Sequence, residues 1–151
     1  MQKLNLPPAD LLIAHRGSRL TVFDPLRRRY VALTPEEWVR QHFVGYLQTC
    51  KGYPPEVIAN EVSLSLNGTR KRCDTVVYGP HAEPLMIVEY KAPDVEITQR
   101  TFDQISRYNI RLHVEWLVVS NGLQHFCCHI DYGSGQYRFL PDIPRYEEVF
   151  H

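Results

Sequence analysis

The chain has few of the residue patterns that serve thiolate metal sites, nucleotide-driven motors or membrane insertion. Its 151 residues contain four cysteines, and no CxxC or similarly paired spacing, which argues against a zinc site built on thiolates. An HExxH pair of histidines and a GxxxxGK[ST] loop are both missing. No apolar run approaches the roughly 20 residues that a membrane-spanning helix needs. These absences argue against a zinc site of the thiolate or HExxH kind, against a P-loop motor and against a membrane-spanning helix.

The chain also lacks net charge, with 17 basic and 17 acidic residues, so the protein as a whole does not attract a polyanion. Arginine clusters do occur locally. Arg27–Arg29 are predicted to cover an exposed hairpin. Arg70-Lys71-Arg72 leads directly into Asp74, and it belongs either to a solvated turn or to a surface that holds a phosphate backbone. With no charged-then-apolar leader at its N-terminus, the chain is expected to be cytoplasmic, with reduced thiols.

Hydrophobic patterning predicts an α/β fold in one domain over residues 1–151, with a mixed central β-sheet flanked by helices. An N-terminal hairpin is expected at about 19–33. One helix should run from Thr34, a good N-cap followed by Pro35, to about Lys51, and a second from Thr98 to about Arg111. Strands are predicted over 57–66, 72–78, 85–91, 113–120, 123–130 and 136–140.

The clearest indication of function in the sequence is a set of two carboxylates and one ammonium group. Since side chains alternate along a strand, Glu89 and Lys91 project to one face, and Asp74 can lie beside Glu89 on the preceding strand. Burying such a group is costly unless a cation or a water-filled cleft compensates it. The pattern therefore fits either a divalent-cation site or an ion pair at a strand end.

Asp74, the Glu89-Tyr90-Lys91 unit and Gln104 with Tyr108 one helical turn later together resemble the PD-(D/E)xK nuclease superfamily. A lone D…ExK pattern is weak, but the downstream Gln/Tyr helix makes it more specific. The resemblance implies a restriction-endonuclease-like core and an Mg²⁺-dependent nuclease that hydrolyses phosphodiester bonds.

Three segments resemble one branch of that superfamily in order and spacing. They are Leu33–Gln41, Lys71–Val77 and Ile87–Pro93, and they are similar to the N-terminal nuclease domain of type I restriction enzyme R (HsdR) subunits. The resemblance covers about Phe23 to Gly122. It implies DNA as the substrate and a possible separate translocase or helicase subunit as a partner, since no motor is encoded here.

The family pattern implies a role for each site residue. Asp74, Glu89 and the backbone carbonyl of Tyr90 would bind the metal, and oxygen ligands of this kind favour Mg²⁺ or Mn²⁺ over zinc. Lys91 would orient the attacking water or offset charge in the transition state. Gln104 would steady the site.

The residues expected to bind nucleic acid are Tyr108, Arg70, Lys71 and Arg72. The alternative for Tyr108 and Gln104 is an ordinary amphipathic helix. Glu37 occupies the acidic position of the family's first helix, where it would reach the metal through water. A capping box explains Glu37 without any function, and Glu36 and Glu61 compete for the same role.

Two other functions stay open at this point. The fold could be a catalytically silent module that binds nucleic acid or protein, or an ordinary α/β domain whose charged trio is an ion-pair cluster. Nothing in the sequence indicates base-specific reading or an oligomeric state.

Overall fold

A small antiparallel sheet forms the N-terminal part of the computed structural model, which describes residues 1–150. Its strands are β1 (Ile13–Arg16), β2 (Arg19–Asp24) and β3 (Arg29–Ala32), in the order β1-β2-β3. The strands β2 and β3 lie within the range given for a hairpin above. Strand β1 was not predicted, because four residues are too few to establish a period.

Helix α1 (Pro35–Lys51) follows directly. Thr34 caps it as expected, since its hydroxyl accepts a hydrogen bond of 3.0 Å from the Glu37 amide. The reciprocal half of a capping box is not formed, because the Glu37 side chain turns to arginines instead. The helix ends at Gly52, whose φ of 74° lies in the left-handed region that glycine favours.

The main sheet has six strands in the order β4-β5-β6-β7-β8-β9. After a 3₁₀ turn at Pro55–Val57, these are β4 (Ile58–Leu66), β5 (Thr69–Tyr78), β6 (Pro84–Tyr90), β7 (Trp116–Ser120), β8 (His125–Asp131) and β9 (Gln136–Leu140), followed by a 3₁₀ turn at Tyr146–Glu148. Within residues 1–150, only β6 and β7 pair in parallel; helix α2 (Gln99–Leu112) forms the crossover between them. The predicted α/β class with a mixed sheet is confirmed.

The helices cover opposite faces of this sheet. Val39 and Phe43 of α1 pack with Val88, whereas Phe102 of α2 packs with Leu117 on the other face. Cys127 and Cys128 are buried in these two different clusters, as expected for neighbours on a strand. Within residues 1–150, all four cysteines are free, and no helix is long and apolar enough to cross a membrane.

Candidate functional site

Asp74 and Glu89 face each other where β5 and β6 meet. The antiparallel register pairs Thr75 with Val88, so the next residue on each strand is one of the two acids. The Asp74 carboxylate accepts a hydrogen bond of 2.9 Å from the amide of Tyr90, and this bond fixes the carboxylate at the end of the ladder. The structure thus brings the two predicted metal-binding carboxylates together.

Both carboxylates open into a cleft of about 500 Å³. Most of its wall is charged, in contrast to the apolar lining that small-molecule sites usually have. The wall is formed by Thr34, Glu36, Arg40, Glu61, Lys71, Arg72, Asp74, Glu89, Tyr90 and Lys91.

Glu89 is short of positive charge in this cleft. Lys71 donates one hydrogen bond of 2.7 Å to its carboxylate. Burial and the neighbouring Asp74 carboxylate outweigh that bond, and together they raise the pKa of Glu89 to about 8. For Lys71, burial acts in the opposite direction, but the bond to Glu89 prevails and its pKa is raised. An added cation would relieve the repulsion between the two acids.

Lys91 lies just beyond β6 and lines the same cleft. Its backbone amide donates to the carbonyl of Ser120 at 2.9 Å, which ties this end of the strand to β7. Within the described residues, 1–150, its ammonium group forms no ion pair. Lys91 and Lys71 are therefore not equivalent, because Lys71 is engaged with Glu89 while the Lys91 charge faces the cleft.

Glu37 lies behind the cleft, and its carboxylate does not form part of the cleft wall. Its two oxygens accept hydrogen bonds of 2.7–3.1 Å from Arg27, Arg40 and Gln41. Although burial alone would raise the pKa of Glu37, these donors hold it below its usual range. The predicted role of Glu37 as a metal ligand is not supported by this placement, because its oxygens already have partners.

The prediction that Arg27–Arg29 form an exposed cluster is wrong for Arg27. Its side chain is only 12% exposed and is paired with Asp24 and Glu37, whereas Arg28 and Arg29 are exposed. Asp24 is itself buried and accepts a further hydrogen bond from Asn60. These pairs join the small sheet to α1.

Arg40 is a site residue that the sequence analysis did not single out. Its guanidinium donates 2.7 Å to the backbone carbonyl of Asp74 and lies 5.8 Å from the centre of the Tyr90 ring. The same group binds Glu37, so α1 holds the backbone at Asp74 in place. The spacing of Glu37 and Arg40, three residues apart on one helix face, was the available signal.

Glu61 and Glu36 both reach the cleft wall. Glu61 has a φ of 58°, an uncommon value for this residue type, and its carboxylate pairs with Arg40 at 2.9 Å and Arg72 at 2.7 Å. Glu36 is exposed and has no ion pair among residues 1–150. Of the three acids considered above, these two line the cleft that holds the carboxylate pair, and Glu37 does not.

Gln104 and Tyr108 lie in a neighbouring groove. This groove, of about 420 Å³, is lined by these two residues together with Arg107 and Arg111 of α2. Lys71 connects the two sites, because its ammonium group lies 5.4 Å from the centre of the Tyr108 ring while it binds Glu89. Gln104 is exposed and does not reach the cleft wall, so it contacts neither carboxylate.

The basic hairpin residues divide in the same way. Arg70 is exposed at the end of β5 away from the cleft wall, whereas Lys71 and Arg72 line it. Arg72 is 65% exposed even though it pairs with Glu61. Of the three hairpin residues predicted to bind the nucleic-acid backbone, Lys71 and Arg72 are therefore the two that lie beside the carboxylates.

The donor set fits a magnesium-type ion. Mg²⁺ commonly takes one or two protein carboxylates and completes its shell with water and substrate phosphate oxygens. Asp74 and Glu89 supply two such groups. Residues 1–150 contain no cluster of three or more His, Cys, Asp or Glu side chains placed to hold a metal. The donors therefore suit Mg²⁺ or Mn²⁺ better than zinc, which favours closed shells of nitrogen and sulfur.

The fold and the cleft together define an α/β domain with paired carboxylates where neighbouring strands meet. The chain belongs to the family described as type I restriction enzyme R protein N terminus (HSDR_N), whose model matches residues 35–144. The predicted resemblance to HsdR subunits is confirmed by this match.

A solved structure assigned to a fragment of the HsdR subunit of a type I restriction enzyme from Vibrio vulnificus has a similar fold. Its TM-score is 0.55 at 20% sequence identity, over 78% of this chain and 25% of that one. The chain thus spans about a quarter of the fragment that it matches. No match was found among curated proteins.

Proposed function

We propose that this chain is a metal-dependent nuclease domain that hydrolyses phosphodiester bonds of DNA. The observation that carries the proposal is the pair of carboxylates, Asp74 and Glu89, held opposite each other in a cleft with Lys91. The raised pKa of Glu89 supports it, because it marks a place where positive charge is lacking. Membership of the HsdR N-terminal family supports a nuclease role in restriction–modification.

In this proposal Asp74, Glu89 and the backbone carbonyl of Tyr90 hold Mg²⁺ or Mn²⁺. When bound, the ion would lower the pKa of a water molecule and polarise the scissile phosphate. Lys91 orients that water or offsets the charge that develops on the phosphate. Arg40 keeps the Asp74 backbone in register, and Lys71, Arg72 and Tyr108 contact the DNA backbone beside the cleft.

DNA translocation is not part of the proposed activity of these residues. The sequence contains no GxxxxGK[ST] loop, so any motor must lie in another segment or in a partner subunit. We propose that a translocase subunit delivers DNA to this domain, as the type I restriction context indicates.

The test is cleavage of supercoiled plasmid with Mg²⁺ or Mn²⁺, and with EDTA as the metal-free condition. The wild-type chain should nick or linearise the plasmid only when the metal is present. Lys91→Met should abolish cleavage and keep the melting temperature, since Lys91 forms no ion pair within residues 1–150. Arg138→Gln, which changes an exposed cation on β9 outside the cleft wall, is the matched control and should cut normally. Retained metal-dependent cutting by Lys91→Met would refute the assignment.

A second candidate is a module that binds nucleic acid without cutting it. It is favoured by the fact that residues 1–150 contain no group of three or more His, Cys, Asp or Glu side chains that could hold a metal ion. Titration with Mn²⁺ separates the two candidates. A nuclease should bind the ion with an affinity that falls on Asp74→Ala, whereas a silent module should show no such dependence and should leave plasmid intact.

A further inference from the structure

The small N-terminal sheet carries a charge excess that the rest of the chain does not share. Residues 11–33 contain five arginines and a single acidic residue, Asp24, whereas the remainder of this neutral chain has more acidic than basic residues. Asp24 is buried and paired with Arg27. The charges on the surface of this sheet are therefore the other four arginines.

Two of these arginines lie side by side. Arg16 and Arg19 are directly opposite each other in the register of β1 and β2, and both are exposed. Like charges placed opposite each other destabilise a sheet. Within residues 1–150, neither side chain has an ion-pair partner. A bound anion would remove this repulsion.

Aromatic rings lie on the same outward face. On β2, Val22 and Asp24 point to the core and are buried, while Arg19, Thr21 and Phe23 share the opposite face, where Thr21 is buried and Arg19 is exposed. Phe23 packs edge-on against Tyr30 of β3, with ring centres 5.3 Å apart. Tyr30 is 39% exposed.

Arginine and aromatic groups also touch on this face. The guanidinium carbon of Arg16 lies 5.7 Å from the centre of the Tyr30 ring. Cationic groups beside exposed rings are the arrangement that proteins use to hold the backbone and the bases of nucleic acids.

The sheet is fixed to the rest of the protein but lies outside the family match. The ion pair between Arg27 and Glu37, at 2.7 Å, ties it to α1. The family model begins at residue 35, after β3 has ended. The arginine-rich sheet thus precedes the part of the chain that the family model matches, and it is tied to that part by this ion pair.

We propose that the outward face of β1–β3, formed by Arg16, Arg19 and Tyr30, is a second nucleic-acid-binding surface. The arginines bind phosphate groups, and the Tyr30 ring stacks on a base where the strand is single. Binding does not depend on base sequence, because the face offers charge and a ring but no set of side chains suited to reading base edges. An acidic protein segment would satisfy the arginines but would leave the ring without a stacking partner.

The test is fluorescence anisotropy with labelled single-stranded and duplex DNA of about 30 nucleotides, a length that covers sites of this kind. Working in EDTA keeps metal-dependent cleavage out of the measurement. The double variant Arg16→Gln/Arg19→Gln should bind at least about tenfold more weakly. Its slope of log affinity against log salt should also be smaller by about 2, since two phosphate contacts are lost. Tyr30→Leu should weaken single-stranded binding more than duplex binding.

Arg138→Gln is the matched control. Arg138 is exposed on β9, at the far edge of the main sheet, and has no ion pair within residues 1–150. Wild-type affinity of the double variant, or an equal loss in Arg138→Gln, would overturn the proposal. Equal competition by polyglutamate at matched charge would show a general polyanion surface and would overturn it as well. A failure of plasmid cleavage would not affect these results, which separates this inference from the proposed nuclease activity.

Discussion

Glu37 and Glu89 are both buried glutamates, yet the groups that surround their carboxylates differ sharply. Glu37 receives hydrogen bonds from two arginines and a glutamine, and its pKa is lowered. Glu89 receives one hydrogen bond from Lys71, faces Asp74, and has a pKa raised to about 8. The first network is complete, whereas the second lacks positive charge.

This difference teaches how to interpret acidic residues in such a fold. A carboxylate whose donors are all in place stabilises the structure and has no oxygen to offer a ligand. A carboxylate that is desolvated beside another acid has a reason to bind a cation. The comparison therefore favours Asp74 and Glu89, rather than Glu37, as the metal-binding groups.

The largest effect is expected on catalysis, when the Glu89 carboxylate is removed. Glu89→Gln should reduce plasmid cleavage at least about a thousandfold, roughly 4 kcal/mol of transition-state stabilisation, because it removes a carboxylate that holds the ion. Its free energy of unfolding should stay close to the wild-type value, since the change removes both the repulsion with Asp74 and the offsetting ion pair with Lys71. Cleavage and urea denaturation measure the two. Near-normal cutting would exclude Glu89 as a ligand.

Glu37→Ala should act in the opposite way, mainly on stability. It leaves Arg27 and Arg40 without a shared acceptor and should lower the free energy of unfolding by about 3 kcal/mol. That value is at the low end for a broken buried pair, because Arg27 keeps Asp24 and Arg40 keeps Glu61. Urea denaturation is the measurement. If a folded Glu37→Ala chain bound Mn²⁺ more weakly than the wild type, Glu37 would have to be counted among the groups that contribute to metal binding.

The pH dependence of metal binding sharpens the comparison further. Since Glu89 must lose its proton to bind Mn²⁺, affinity should rise about tenfold per pH unit below about 8 and level off above it. Calorimetric titration of the metal across this range is the measurement. An affinity that levels off near pH 5 would show that Glu89 is already ionised.

The free energy of unfolding should also depend on the titration of Glu89, but it should fall as pH rises, whereas metal affinity should increase. The folded-state pKa of about 8 lies above the ordinary value of 4.5, so the protonated acid favours the folded state. This contribution is complete below about pH 4.5 and is lost as pH rises through about 8, by a few kcal/mol at most. Urea denaturation of the wild-type chain and of Glu89→Gln should show this slope only in the former.

The smallest effect is expected at the link to the neighbouring groove. Tyr108→Leu removes the ring above Lys71 and should weaken DNA binding by about 1 kcal/mol, roughly fivefold, with cleavage at saturating DNA little changed. Anisotropy in EDTA measures the first and plasmid cleavage the second. Ile110→Ala, on the same helix and half-exposed, is the control and should bind normally.

Local patterns predicted much of the fold. Thr34 and Gly52 bound α1 because capping chemistry acts within one helical turn. The predicted strand over 57–66 is observed at Ile58–Leu66, because apolar residues and a turn at Asn67-Gly68 are both visible in the sequence. The short strand β1 was not predicted, since its four residues show no clear pattern of their own and it is recognised as a strand by its pairing with β2.

The sequence by itself indicated that Asp74 and Glu89 lie on neighbouring strands and that Lys91 lies close to Glu89, although β6 ends at Tyr90, one residue before Lys91. Only the tertiary structure decided that Glu37 is bound by Arg27 and Arg40, that Lys71 is the counter-ion of Glu89, and that Gln104 lies outside the cleft. The physical reason is that alternation and register follow from local backbone geometry. The satisfaction of a buried charge depends instead on which distant segments of the chain are packed around it.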